Sequence, residues 1–217
     1  MRRTLTVLSP AVRLEYVRLA AVAAPAVEEA LSGRVMANRV WRSCPEPPAL
    51  TLRPWRLERR LFARALDAFA SAHDAVAIAD VATCYASIGP HLARAALERI
   101  EAPQGPAVER FLASVAREGV RGLPVGPDPS AVFANAVLAH ADRALEAEGV
   151  AHLRWVDDFV IGGEGPASVA HGLDVLRDAL ADIGLCANEG KTRIVEDPSA
   201  LARAMPSSLR GSARRVG

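Results

Sequence analysis

Lysine is almost missing from this 217-residue sequence: Lys191 is the only one, and the other 25 of its 26 basic side chains are arginine. Such a bias gives arginine abundance little functional weight, but it makes a lone lysine inside a motif conspicuous. Cysteine is scarce too. Cys44, Cys84 and Cys186 are odd in number and share no metal-ligand spacing, which argues against a disulfide framework and a thiolate metal site and points to free thiols. No apolar run reaches the about 20 residues that a bilayer span needs. The most apolar N-terminal run, Leu19 to Val27, is short and contains Pro25. Met1-Arg2-Arg3 does not lead into an apolar signal core with a cleavage site, so a cytoplasmic protein is expected. No internal repeat appears, which excludes a solenoid.

What is present is enough to fold. Hydrophobic residues make up 51% and charged residues 24%, the balance of a globular domain, here one domain or one domain with an appendage. Net charge is only +1, yet it is unevenly spread. Residues 1–70 hold 12 Arg against 6 acids, and residues 71–180 hold 8 Arg against 15 acids. A basic first third suits phosphates and an acidic middle suits divalent cations, although clustering of this kind also arises on solvated faces.

The periodicities predict helices over Pro10–Leu31, with a bend at Pro25, Pro54–Ala72, Pro90–Ile100, Pro106–Glu118, Pro129–Glu148 and Pro166–Ile183, the last closed by Gly184. Val35 to Leu52 reads as a short hairpin or an irregular loop. On Pro54–Ala72, Trp55, Leu61, Phe62, Ala65 and Phe69 are expected to share an apolar face. Ala75 to Val81 (AVAIADV) reads as a buried strand. His152–Val156 and Phe159–Ile161 read as a hairpin turning at Asp157-Asp158, and Thr192–Val195 as a last strand. From Ala75 the order is strand, helices, strand, strand, helix, strand. That is an α+β split β-α-β layout, a ferredoxin-like antiparallel sheet, which nucleic-acid-binding modules and polymerase palms share.

Three acids stand out against their apolar surroundings. Asp80 ends a strand, and Asp157 and Asp158 sit between Leu153-Arg154-Trp155-Val156 and Phe159-Val160-Ile161. In a split β-α-β sheet the first and third strands are central neighbours, which would bring Asp80 beside the hairpin. Adjacent, partly buried carboxylates repel and need cations, and hard oxygen ligands favour two Mg2+ or Mn2+ ions. A bare Asp-Asp pair on its own is an ordinary turn.

Four segments in order resemble the palm motifs of reverse transcriptases. Ala79-Asp80-Val81-Ala82-Thr83-Cys84-Tyr85-Ala86-Ser87-Ile88 is similar to the first. Gly122-Leu123-Pro124-Val125-Gly126-Pro127-Asp128-Pro129-Ser130, then Ala134-Asn135, resembles the Gly-Leu-Pro-x-Gly loop that opens a helix. Leu153 to Ile161 resembles the Tyr-x-Asp-Asp hairpin, and Gly184-Leu185 with Asn188-Glu189-Gly190-Lys191-Thr192 resembles the fourth motif. The resemblance covers about residues 75 to 197 and is nearest to the bacterial group II intron, retron and phage-defence types.

It implies RNA-directed DNA polymerase activity with two divalent cations, an RNA template, a DNA primer and deoxynucleotide triphosphates. Asp80 and Asp157 would ligate both ions, Asp158 would assist, and Val81 would offer its carbonyl. Tyr85 would gate against a 2′-hydroxyl, the loop with Gly122, Pro124 and Gly126 would support template or base, and Lys191 would protonate pyrophosphate. Arg53 and Arg56, with Arg59 and Arg60, lie where fingers hold triphosphate. This divides the chain into reduced fingers at 1–74, a palm at 75–197 and a polar tail at 198–217.

The sequence departs from the pattern in three places. Val125 replaces the usual Gln, Trp155 replaces the usual Tyr, and the fingers region is short and atypical. The 26 residues after Lys191 are too few for primer grip and thumb, so a protein partner is expected to supply the missing grip. The alternative is a palm of weak or no activity that binds RNA or a partner. A nucleotide cyclase is disfavoured, because its Gly-Gly-Asp/Glu hairpin is absent at Asp157.

Overall fold

The computed structural model describes residues 5–46, 48–195 and 201. Helix α1 spans Pro10–Ala30, with Ser9 as its N-cap and Pro10 at its first turn, where a missing N–H costs nothing. It runs on through Pro25 and buries Tyr16, Leu19, Ala20, Ala23, Ala24 and Val27. The Val35 to Leu52 region resolves as a hairpin of β1 (Val40–Cys44) and β2 (Ala49–Leu52). Helix α2 spans Trp55–Ser71. Its apolar face is narrower than the sequence predicts. Phe62 and Leu66 are buried and Ala65 and Phe69 pack beside them, whereas Trp55 and Leu61 face solvent, because the stripe that meets the sheet does not extend to them.

Next come β3 (Ala75–Asp80), a single turn α3 (Cys84–Ser87), and helices α4 (Pro90–Arg99), α5 (Gly105–Arg117) and α6 (Asp128–Ala147). Strands β4 (Ala151–Trp155) and β5 (Asp158–Gly163), helix α7 (Pro166–Asp182) and β6 (Arg193–Val195) complete the described chain. Gly184, at φ 72°, ends α7 in the left-handed conformation expected of it, and Leu185 N–H closes the helix on Leu180 O at 2.9 Å.

The four long-range strands order as β4-β5-β3-β6, every pair antiparallel. The first and third strands of the series, β3 and β5, are therefore central neighbours, as the split β-α-β reading requires. Side chains alternate across a strand, and the sheet has two different faces. Ala77, Ala79, Phe159 and Ile161 join the large core built by α1, α4, α5, α6 and α7. Val76, Ile78, Leu153 and Val160 face the other way and pack under Phe62 and Leu66 of α2. Each fully buried Ile, Leu or Phe contributes about 1.5–3 kcal/mol, so this smaller cluster fastens α2 to the sheet. The predicted polar tail at 198–217 lies outside the described residues except for Leu201, which is buried in the same smaller cluster. Among the described residues, no helix is long and apolar enough to cross a membrane.

The outer edge of β4 is covered by the segment after α1. Arg154 N–H donates to Arg34 O and Met36 N–H to Arg154 O, both at 2.9 Å, with a parallel bridge at Val35. An open edge would invite pairing with another chain, and this segment removes it.

Candidate active site

The antiparallel register fixes the centre. Asp80 is the Cα partner of Asp158, which in turn pairs with Trp155 across the β4–β5 hairpin. Asp80 and Asp158 share the parity of Ile78 and Val160, so both sit on the α2 face, beside Trp155, whose ring packs on Phe62 of α2 at 5.0 Å. Asp157 stands in the two-residue turn, and its carbonyl accepts from Val81 N–H at 3.1 Å. Each of the three acids offers a carboxylate oxygen within 4.8 Å of the others. Asp80 and Asp158 are buried and Asp157 is half-buried. The sequence-predicted triad is thus one cluster, drawn from stretches nearly eighty residues apart.

The turn itself is strained. Val156, a β-branched residue, has φ 58°, in the left-handed region that a two-residue hairpin demands at its first position. Such a residue costs on the order of 1–3 kcal/mol and persists only where its surroundings hold it.

The fourth motif wraps Asp80. Asn188 N–H donates to Asp80 O at 2.6 Å, and Asn188 Nδ2 donates to Asp80 Oδ2 at 3.0 Å. Lys191 Nζ reaches Asp80 Oδ2 at 2.9 Å and Oδ1 at 3.1 Å from a largely exposed stem. The turn is closed by Lys191 and Thr192 N–H groups on Asn188 O, both at 2.9 Å. Asn188 belongs to a motif read from the sequence, but its direct bond to a site carboxylate emerges only from the fold.

Val81 is buried just beyond β3, bridged to Ala187. Tyr85 is half-buried on α3, and its carbonyl accepts Leu123 N–H at 2.8 Å. That bond docks the Gly122–Ser130 loop onto the segment that follows Asp80. Gly122 has φ 66°, and a Cβ there would lie 2.6 Å from Ala86 O and closer still to Tyr85 O, so only glycine permits this approach. Pro124 is buried and its carbonyl accepts Ser130 Oγ at 2.6 Å, while Gly126 has φ 117°. Val125, the departure from the family pattern, pairs with the N-terminal segment: Thr6 N–H donates to Val125 O at 2.8 Å.

Arg53 and Arg56 are exposed. Arg53 approaches Glu28 at 3.6 Å, and the Arg56 guanidinium lies over the Trp55 ring at 5.7 Å. These contacts run to Glu28 and Trp55 and not to the triad.

Sequence reasoning missed a second group of polar residues behind the turn. Arg154 is fully buried on β4. Its Nη2 donates to Asp142 Oδ2 at 2.7 Å and its Nε to both Asp142 oxygens at 2.9 and 3.0 Å. Burial, the largest single influence, would raise the Asp142 carboxyl, but the Arg154 guanidinium and the neighbouring His152 together outweigh it and hold the group below the usual carboxylate range. His152 Nε2 lies 3.4 Å from Asp142 Oδ1 without the geometry of a hydrogen bond. The sequence-level signal was an Arg within the run Leu153-Arg154-Trp155-Val156. Cys84, buried beside this region, has its thiol pushed up to about 12 by burial and by the nearby Asp157 charge.

The centre is a set of hard oxygen donors, and the Lys191 ammonium is paired with Asp80. Like charges this close are relieved by a bound cation or by protonation of one of them, and three carboxylates offering oxygen ligands could hold a metal ion. A family model described as reverse transcriptase (RNA-dependent DNA polymerase) matches residues 21–203. No curated protein matches the chain.

Proposed function

The chain belongs to the reverse transcriptase (RNA-dependent DNA polymerase) family, and from that premise we propose that Asp80, Asp157 and Asp158 form a two-cation nucleotidyl transfer centre on a polymerase palm. Membership in this family implies a nucleotidyltransferase with an RNA template, a primer and nucleotide substrates. The observation that carries the finer reading is the Asp80–Asp158 register pair, with Asp157 in the adjoining turn.

Two divalent cations, held by these carboxylates and the Val81 carbonyl, would lower the pKa of an attacking hydroxyl and neutralise charge on the leaving oxygen. The protein's own residues do the rest. Asn188 and Lys191 orient Asp80 through its two oxygens. With Asp80 engaged by cations, the Lys191 ammonium is placed to give a proton to departing pyrophosphate. Tyr85 and the Gly122, Pro124 and Gly126 loop, joined through the Leu123–Tyr85 bond, form a wall for nucleotide and template. Arg53 and Arg56, beside exposed Trp41 and Trp55, supply a basic, aromatic surface for phosphates and bases on the fingers side. We further read residues 1–74 as reduced fingers, assign thumb-like grip to a protein partner, and place the activity in phage defence or a mobile element.

Primer extension by the full chain on an RNA template, with Mn2+ or Mg2+, tests the reading. Incorporation that disappears in Asp157→Ala supports it. An intact protein that binds RNA equally well with and without Asp157, and incorporates nothing, refutes it in favour of a binding palm.

A further inference from the structure

The buried Arg154 has more bonds than an ion pair with Asp142 requires. Its Nη1 donates to Asn135 Oδ1 at 2.9 Å and to Val156 O at 2.8 Å. Val156 is the residue with φ 58° in the turn that carries Asp157. Asn135, buried on α6, donates onward from Nδ2 to Ala37 O and Asn38 O, each at 3.2 Å. Asn38 and Arg39 N–H groups in turn donate to the buried Glu58 of α2, both at 2.9 Å. A continuous hydrogen-bonded path thus runs from α2, through the segment leading into β1, to the carboxylate turn, and the guanidinium is its last link.

We propose that Arg154 is the positioning residue of this centre: clamped by Asp142 and Asn135, it holds the Val156 carbonyl and so keeps the strained turn in the conformation that presents Asp157 and Asp158 to Asp80. Three observations support a role beyond stability. A Val at positive φ would relax to a commoner turn unless its carbonyl were held. The guanidinium is planar and fixed on three sides, so it transmits position where a flexible ammonium would not. The backbone N–H and C=O of Arg154 are both bonded to the Arg34–Met36 segment, and on its other side Arg154 stands opposite Phe159 of β5, which leaves the side chain little freedom. Outer-shell groups that orient metal ligands tune affinity strongly even though they touch neither metal nor substrate. The inference rests on the reading of the triad as a cation site for its functional consequence, but not for its structural content.

The test uses the full chain. Arg154→Met alone would leave Asp142 as an unpaired buried charge, so the informative variant is Arg154→Met with Asp142→Leu, which removes both charges together. Arg154→Lys is the second variant, keeping the charge but losing the fork. Two readouts are taken on protein that melts cooperatively: hydrogen exchange of the peptide spanning 154–160, and Mn2+ binding by titration calorimetry. The expected result is faster exchange at the turn and Mn2+ affinity lower by about 10- to 100-fold in the double variant, with Arg154→Lys in between. Native exchange at the turn in a cooperatively folded double variant overturns the proposal, whatever Mn2+ does. Where the double variant does not fold, Arg154→Lys decides by the same two criteria. Failure of the native chain to bind Mn2+ would instead refute the cation reading, and the exchange arm would still judge the positioning role.

Discussion

Gly122→Ala should be among the most damaging single-methyl additions to this protein. The residue has φ 66°, which costs an L-residue roughly 1–2 kcal/mol. The new Cβ would also lie 2.6 Å from Ala86 O and nearer still to Tyr85 O. Those are backbone atoms and cannot swing aside. The loop must retreat, and the 2.8 Å bond from Leu123 N–H to Tyr85 O is lost. Leu123 is fully buried, so an N–H left unsatisfied there costs about 1–3 kcal/mol. The sum is roughly 2–5 kcal/mol. For a domain of this size, each 1 kcal/mol lowers Tm by about 2–4 °C, which gives a drop of roughly 4–20 °C. Gly119→Ala is the matched control, since its φ is 88° but a Cβ there would meet open space. It should show the backbone cost alone. The assay is thermal denaturation of native chain and both variants, followed by circular dichroism. If Gly122→Ala melts within about 2 °C of Gly119→Ala, the close approach of the loop to Tyr85 is wrong, and so is the wall assigned to it.

Thiol reactivity should separate the cysteines. Cys186 is exposed, whereas Cys84 is buried with its thiol pushed up to about 12, so iodoacetamide at neutral pH should label Cys186 first and Cys84 only on unfolding, as peptide mass spectrometry would show. The Asp142–Arg154 pair should make the chain acid-sensitive. The Asp142 carboxyl is held below its unfolded value, so its stabilisation is complete above about pH 4–5 and is lost as pH falls through the lower folded value. Between about pH 5 and pH 3, Arg154→Met with Asp142→Leu should therefore lose less Tm than the native chain; an equal loss would show that this pair does not titrate as described. Asp157→Ala should fold, because Asp157 sits in a turn and not in the core, and should abolish primer extension; retained extension would remove Asp157 from the catalytic set.

Much of the architecture could be read locally. AVAIAD has no polar residue until its end, and its six residues form one strand buried on both faces. Val169, Leu173, Leu176, Leu180 and Ile183 recur at helical spacing, and all are buried. Asp157 and Asp158 interrupt an apolar run at a hairpin turn, and the four motifs appear in order. Other features were not local. Trp55 and Leu61 satisfy a helical apolar pattern yet face solvent, because the width of the buried stripe is set by the surface α2 meets. The burial of Glu58 and Arg154 was not legible either, because their partners, Asn38 and Arg39 for one, Asp142, Asn135 and Val156 for the other, are set by the fold.

The sequence by itself determined which side chains were available for chemistry: one acid at a strand end and two at a hairpin turn, one lysine, and a glycine loop, since periodicity and turn propensity depend only on near neighbours. Only the tertiary structure decided that Asp80 pairs with Asp158, that Asn188 and Lys191 close on Asp80, and that a guanidinium sits behind the turn. Strand register and the burial of a charge are set by which distant segments meet, and that choice belongs to the whole packed core.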